Sequence, residues 1–194
     1  MKTNIVILAL AAVFYARVSP AQLVYQAHLD GPSEFPVNAS PGTGFAEVDY
    51  DPLAHTLGVH VTFSGLLGTT TASHINAPTL VPGSGTAGVA TTTPYFAGFP
   101  IGVTSGAYDN TLDLTQTSSW NPAYITANGG TPAGAESALA AALAADEAYM
   151  NIHTSAFSGG EIRGFLTLVP EPSSLALLGL GLLAGAWRFR RCRA

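Results

Sequence analysis

From Leu57 to Ser64 the chain alternates without a break: Leu57, Val59, Val61 and Phe63 on one side, Gly58, His60, Thr62 and Ser64 on the other. A period of two sends successive side chains to opposite faces of a strand, so a run of this kind buries its apolar side only within a sheet. Two earlier runs do the same. Leu23, Tyr25 and Ala27 alternate with Val24, Gln26 and His28, and Ala46, Val48 and Tyr50 with Phe45, Glu47 and Asp49. Turn chemistry separates them at Asp30-Gly31-Pro32, Ser40-Pro41-Gly42 and Asp51-Pro52. The second and third runs, joined by residues 51–56, read as a hairpin. Short strands at this spacing predict an antiparallel, Greek-key-like β-sandwich.

The pattern weakens after residue 68, where Gly, Thr, Ser and Pro dominate. Residues 73–76 and 88–92 are candidate strands, residues 107–114 lie at a strand end, and residues 116–131 read as a loop. Residues 135–148 are mostly Ala, Leu and acids, which fits one short helical insertion with Leu139 and Leu143 on a common face. In that reading Asp146 and Glu147 oppose the helix dipole. Two more strands follow. Residues 149–154 lead through a Gly-rich turn into residues 161–169, where Ile162, Gly164, Leu166 and Leu168 point inward and Arg163 and Thr167 outward. Gly164 then permits a close backbone approach.

The 194 residues suggest one domain plus targeting segments. Lys2, the apolar stretch 5–14 and Ser19-Pro20-Ala21 are the parts of a secretory signal peptide cut after Ala21, which gives a signal helix over residues 1–21. The other end reads Pro170-Glu171-Pro172, an apolar run over 174–187 and a basic tail over 188–194. This order resembles the PEP-CTERM sorting signal of bacterial exported proteins. The resemblance implies recognition and cleavage by an exosortase-type membrane transpeptidase, and delivery to the cell surface or an exopolysaccharide or biofilm matrix. The apolar run has 14 residues, short of the roughly 20 of an ordinary spanning helix. That suits a transient transmembrane anchor whose Arg cluster stays cytoplasmic.

Subtracting both ends leaves residues 22–169 as one domain with eleven acids against the single Arg163, a net charge of −10 with His neutral. Such a body repels nucleic acid and anionic headgroups. The only cysteine, Cys192, lies in the tail, so no disulfide braces the exported body.

Within the body, Tyr149-Met150-Asn151-Ile152-His153-Thr154 followed by Gly159-Gly160-Glu161-Ile162-Arg163-Gly164 resembles the terminal hairpin of the CHRD domain, named for repeats in chordin. Leu29-Asp30-Gly31-Pro32-Ser33-Glu34-Phe35-Pro36 is similar to the family's opening L-x-G-x-x-E-x-P, and Ser73-His74-Ile75-Asn76-Ala77-Pro78 to its H-I-H-G-P. Here Asn76 replaces the second histidine and Ala77 the glycine. The motif positions are therefore Glu34, Pro36, His74, Asn151, His153, Gly160, Glu161, Arg163 and Gly164. The resemblance implies a structural or binding role and no enzymatic activity.

The residues themselves add three expectations. Arg163, alone among acids, pairs with Glu161, two positions away on the same strand face, or clamps Glu34 or Asp30 bidentately. His74 and His153, with His60 or Glu161, are candidate metal ligands of a metal-binding module or metal-dependent enzyme. The plainer reading is that each histidine is hydrogen-bonded to backbone and no cofactor is held. Asp109 to Asp113 groups oxygen ligands but lacks the EF-hand spacing for calcium. No nucleophile elbow, phosphate-binding loop or dinucleotide fingerprint is present.

Overall fold

The computed structural model describes residues 22–169. The signal helix with its cleavage at Ala21, the Pro170-Glu171-Pro172 motif, the apolar run and the basic tail lie outside them. Among the described residues no helix is long and apolar enough to cross a membrane.

Among the described residues eight strands form: β1 (Leu23–Asp30), β2 (Thr43–Asp51), β3 (Thr56–Ser64), β4 (Thr70–Asn76), β5 (Gly106–Asp113), β6 (Tyr149–Thr154), β7 (Ile162–Phe165) and β8 (Thr167–Leu168). The three alternating runs become β1, β2 and β3, paired antiparallel in full register, with Tyr25 opposite Val48 and Val48 opposite Val59. The hairpin between β2 and β3 closes where Asp51 Oδ1 accepts from the backbone N–H of Leu53 (2.8 Å) and Ala54 (2.9 Å). Residues 107–114, expected at a strand end, are nearly all of β5, which extends the sheet beyond β3.

The sandwich expectation is corrected. All strands belong to one antiparallel sheet in the order β4-β6-β7-β1-β2-β3-β5, with β8 also on β1. It curls as a half-barrel around its apolar face. The reason is β1, which both halves share. One side pairs along its whole length with β2; the other meets β7 at Asp30 and Arg163, and β8 at Tyr25 and Gln26. Gly164 makes this seam possible, since a Cβ there would stand 2.1 Å from the His28 carbonyl oxygen.

The concave face holds the core. Tyr25, Leu29, Val48, Leu57, Val59, Ile75, Met150, Ile152 and Ile162 join one buried cluster with Phe96, Leu114 and Trp120. Helix α2 (Pro132–Ala144) covers it with Leu139 and Leu143, capped where Thr131 accepts from the Gly134 N–H at 3.1 Å. It ends earlier than expected. Asp146 has φ +57, so Asp146 and Glu147 lie past the last turn and do not oppose the dipole. Residues 116–131 are not only loop. They contain a 3-10 turn (Thr117–Ser119) and helix α1 (Pro122–Ala127), whose cap is Asn121. Residues 88–92 make isolated bridges in place of a strand. The run over 161–169 breaks into β7 and β8, and Leu168 is half exposed, not inward.

Candidate functional site

The convex face of β4, β6 and β7 is polar yet buried. One row crosses the sheet in register: His74 on β4 opposite Asn151 on β6, Asn151 opposite Arg163 on β7, and Arg163 opposite Asp30 on β1. On the same face Asn76 lies opposite Tyr149, Tyr149 opposite Phe165, and Ala72 opposite His153. Two segments lie over it, residues 31–38 and 84–88. Motif residues distant in sequence thus meet in one layer.

Arg163 ties both segments down. Its Nε donates to the Ser33 carbonyl and its NH1 to the Gly85 carbonyl at 3.0 Å, while the guanidinium lies 4.8 Å from the Tyr149 ring centre and 5.6 Å from that of Phe165. Alternation places Arg163 off the core face, as expected, but the overlying segments bury it to 4% exposure. Its carboxylate partner is Glu34 at 3.8 Å, through Nε alone. The bidentate clamp is not formed, because Nε and NH1 donate to the backbone carbonyls of Ser33 and Gly85 instead. Neither is the pair with Glu161, which precedes β7 and turns elsewhere. Asp30 Oδ1 instead accepts from the Ser33 N–H at 2.7 Å.

Glu161 is fully buried and fully used. It accepts from Ser40 Oγ (2.6 Å), the Leu67 N–H (2.6 Å), the Gly68 N–H (3.2 Å) and Thr154 Oγ1 (2.5 Å). Burial alone would raise its pKa; these donors outweigh it and hold the carboxyl below its usual range. Beside it, Asn38 Nδ2 donates to the carbonyls of Gly160 (3.3 Å) and Glu161 (3.1 Å), so the opening motif is fastened to the terminal hairpin.

Glu34 is the opposite case. It is also buried, but Oε1 has no hydrogen-bond partner. Burial pushes it up to about 7, against the lowering pull of Arg163 and of the Phe35 N–H. Asn151 Oδ1 is likewise buried and unpartnered. Both crowd Gly160, where a Cβ would stand 2.5 Å from Glu34 Oε1 and 2.7 Å from Asn151 Oδ1, and where φ is +127. Only glycine fits that corner. Pro36, at the exposed end of the opening motif, follows a cis peptide from Phe35 and does not enter the layer.

His74 and His153 do come together, with ring centres 4.8 Å apart. His153 Nδ1 is 2.8 Å from the Ser158 carbonyl, the backbone bond expected of it, whereas His74 Nδ1 is 2.9 Å from the Asn76 side-chain oxygen. The other expected ligands stay away. His60 sits on β3 between Asp49 (3.2 Å) and Asp109 (3.1 Å), separated from β6 by β7, β1 and β2, and Glu161 is occupied by its four donors. Asp109 and Asp113 stand four residues apart on β5, roughly 13 Å along a strand, so they do not close on one ion. Among the described residues no group of three or more His, Cys, Asp or Glu is placed to hold a metal.

Sequence reasoning missed Ser33, Asn38, Ser40, Gly85 and Ala87. They act through carbonyls or short polar side chains in loops, and no periodic signal marks them. Elsewhere an open depression of about 380 Å³ lies over His28, Phe45, Thr62 and Phe63, away from the motif residues.

The CHRD domain family model matches residues 25–166, and the model of the PEP-CTERM protein-sorting motif matches residues 168–191. No curated protein and no solved structure matches the chain.

Proposed function

Because this chain belongs to the CHRD domain family and carries a PEP-CTERM sorting motif, we propose that it is an exported surface protein whose tail is cut by an exosortase-type membrane transpeptidase. The observation that carries this reading is the abutment of fold and signal. The domain match ends at residue 166 and the motif match begins at 168. The Val169 N–H still donates to the Val24 carbonyl at 2.8 Å, one residue before Pro170. The folded body therefore reaches the motif with no spacer, and a cut beyond the motif releases the whole domain intact.

The body is then a structural or binding component at the surface, within exopolysaccharide or a biofilm matrix, and not a catalyst. Its net charge of −10 suits a soluble extracellular module and disfavours nucleic acid or anionic lipid as the partner. The motif residues Arg163 and Glu161, together with Asn38, fasten loops to strands, which supports a scaffold role. Mass spectrometry of the protein recovered from the cell surface tests the sorting. The expected form lacks residues 188–194; an intact C-terminus at Ala194 sinks the reading.

A further inference from the structure

The two imidazoles on the convex face each have one nitrogen fixed and one left over. Asn76 Nδ2 donates to the Ala87 carbonyl at 3.0 Å, which turns Asn76 Oδ1 toward His74 Nδ1. That oxygen can only accept, so Nδ1 of His74 carries the proton and its Nε2 presents a lone pair. The Ser158 carbonyl imposes the same arrangement on His153. His153 Nε2 is buried and meets no donor. Metal-ligating imidazoles are oriented in this way, with the second N–H given to an oxygen behind the ring.

The spacing agrees. Two imidazoles that share an ion at about 2.0–2.1 Å, opened by roughly a tetrahedral angle, have ring centres about 5 Å apart; these stand 4.8 Å apart with planes inclined by 55°. Asn151 Oδ1, on the residue opposite His74 and two before His153, is a further buried acceptor without a donor. The layer thus holds more lone pairs than protons to fill them, which a cation corrects and an anion worsens.

The ion must bind through few donors. No thiolate is available in the body, and no carboxylate joins the pair. Two imidazoles leave half of a four-coordinate shell open. Among divalent first-row ions, Cu²⁺ binds a given nitrogen site most tightly. We propose that His74 Nε2 and His153 Nε2 form a two-imidazole copper site whose remaining positions are filled by solvent or an incoming ligand. The site is independent of how the tail is processed.

The test uses the full-length chain in detergent, stripped with chelator, given excess Cu²⁺ and desalted. Expected is one copper per chain, with an electron paramagnetic resonance spectrum showing splitting from two nitrogens. His153→Ala is expected to lose the copper while keeping its circular dichroism. Asn76→Leu, which keeps both rings but frees His74 to turn, is expected to bind about 10–100-fold more weakly. His60→Ala, which removes the exposed imidazole between Asp49 and Asp109, is expected to change nothing. Absence of retained copper overturns the proposal. So does retention by His153→Ala, undiminished affinity in Asn76→Leu, or loss of copper in His60→Ala.

Discussion

The terminal hairpin has a buried carboxylate at each side of Gly160, and the two are built on opposite terms. Glu161 accepts four hydrogen bonds and is held below the usual carboxylate range. Glu34 has an oxygen with no partner, stands 3.8 Å from its nearest cation and is pushed up to about 7. Both carboxylates are nearly hidden from solvent, yet their shifts are opposite: Glu161 is supplied with four donors, whereas Glu34 is more deeply desolvated and short of them. Glu161 is an anchor that ties β7 to the 40 and 67–68 segments. Glu34 is a group held in place by its neighbours, at a standing cost when it ionises.

Removing the anchor should show the largest effect. Glu161→Ala leaves two backbone N–H groups and two hydroxyls buried without an acceptor, and is expected to cost on the order of 4 kcal/mol. Urea unfolding measures it, and a loss below about 1 kcal/mol would show that the four bonds are not the anchor. The corner between the two acids comes next. Gly160→Ala must place a methyl against both Glu34 and Asn151 at φ +127, an expected loss of about 2–3 kcal/mol. A neutral result in the same measurement would mean that the overlying 31–38 segment yields easily.

The smallest effect separates the acids by sign. The folded protein binds a proton at Glu34 between the ordinary 4.5 and about 7 that the unfolded chain does not. Its contribution is full below pH 4.5 and is lost as pH rises through 7. Glu34→Gln, which cannot ionise, should therefore gain on the parent by about 2 kcal/mol between pH 5 and pH 8. Glu161, shifted the other way, contributes above its ordinary value and loses that contribution as pH falls below it. A Gln variant at Glu34 that parallels the parent at every pH would erase the contrast.

The strands of this fold were legible where one face is apolar. The run from Leu57 to Phe63 announced β3, and its neighbours announced β1 and β2, because period two is a local signal. The closure into one sheet was not, since it rests on Asp30 meeting Arg163 across more than a hundred residues. The motif residues were named from sequence, but alternation reports only the face on which a side chain lies. It could not reveal that the 31–38 and 84–88 segments cover Arg163, or that Glu161 turns toward Ser40 and Thr154. Helix α1 went unread because a six-residue helix opened by Asn121-Pro122 carries the same residues as a turn.

The burial of Arg163 has an outcome for life outside the cell. It is the only lysine or arginine between residues 22 and 169, and it is 4% exposed within a strand. The folded body therefore offers trypsin-like proteases no bond to cut and amine-reactive cross-linkers no lysine to attack. Resistance of this kind needs no rigid loops or disulfides; it follows from placing the one susceptible residue where only unfolding can uncover it.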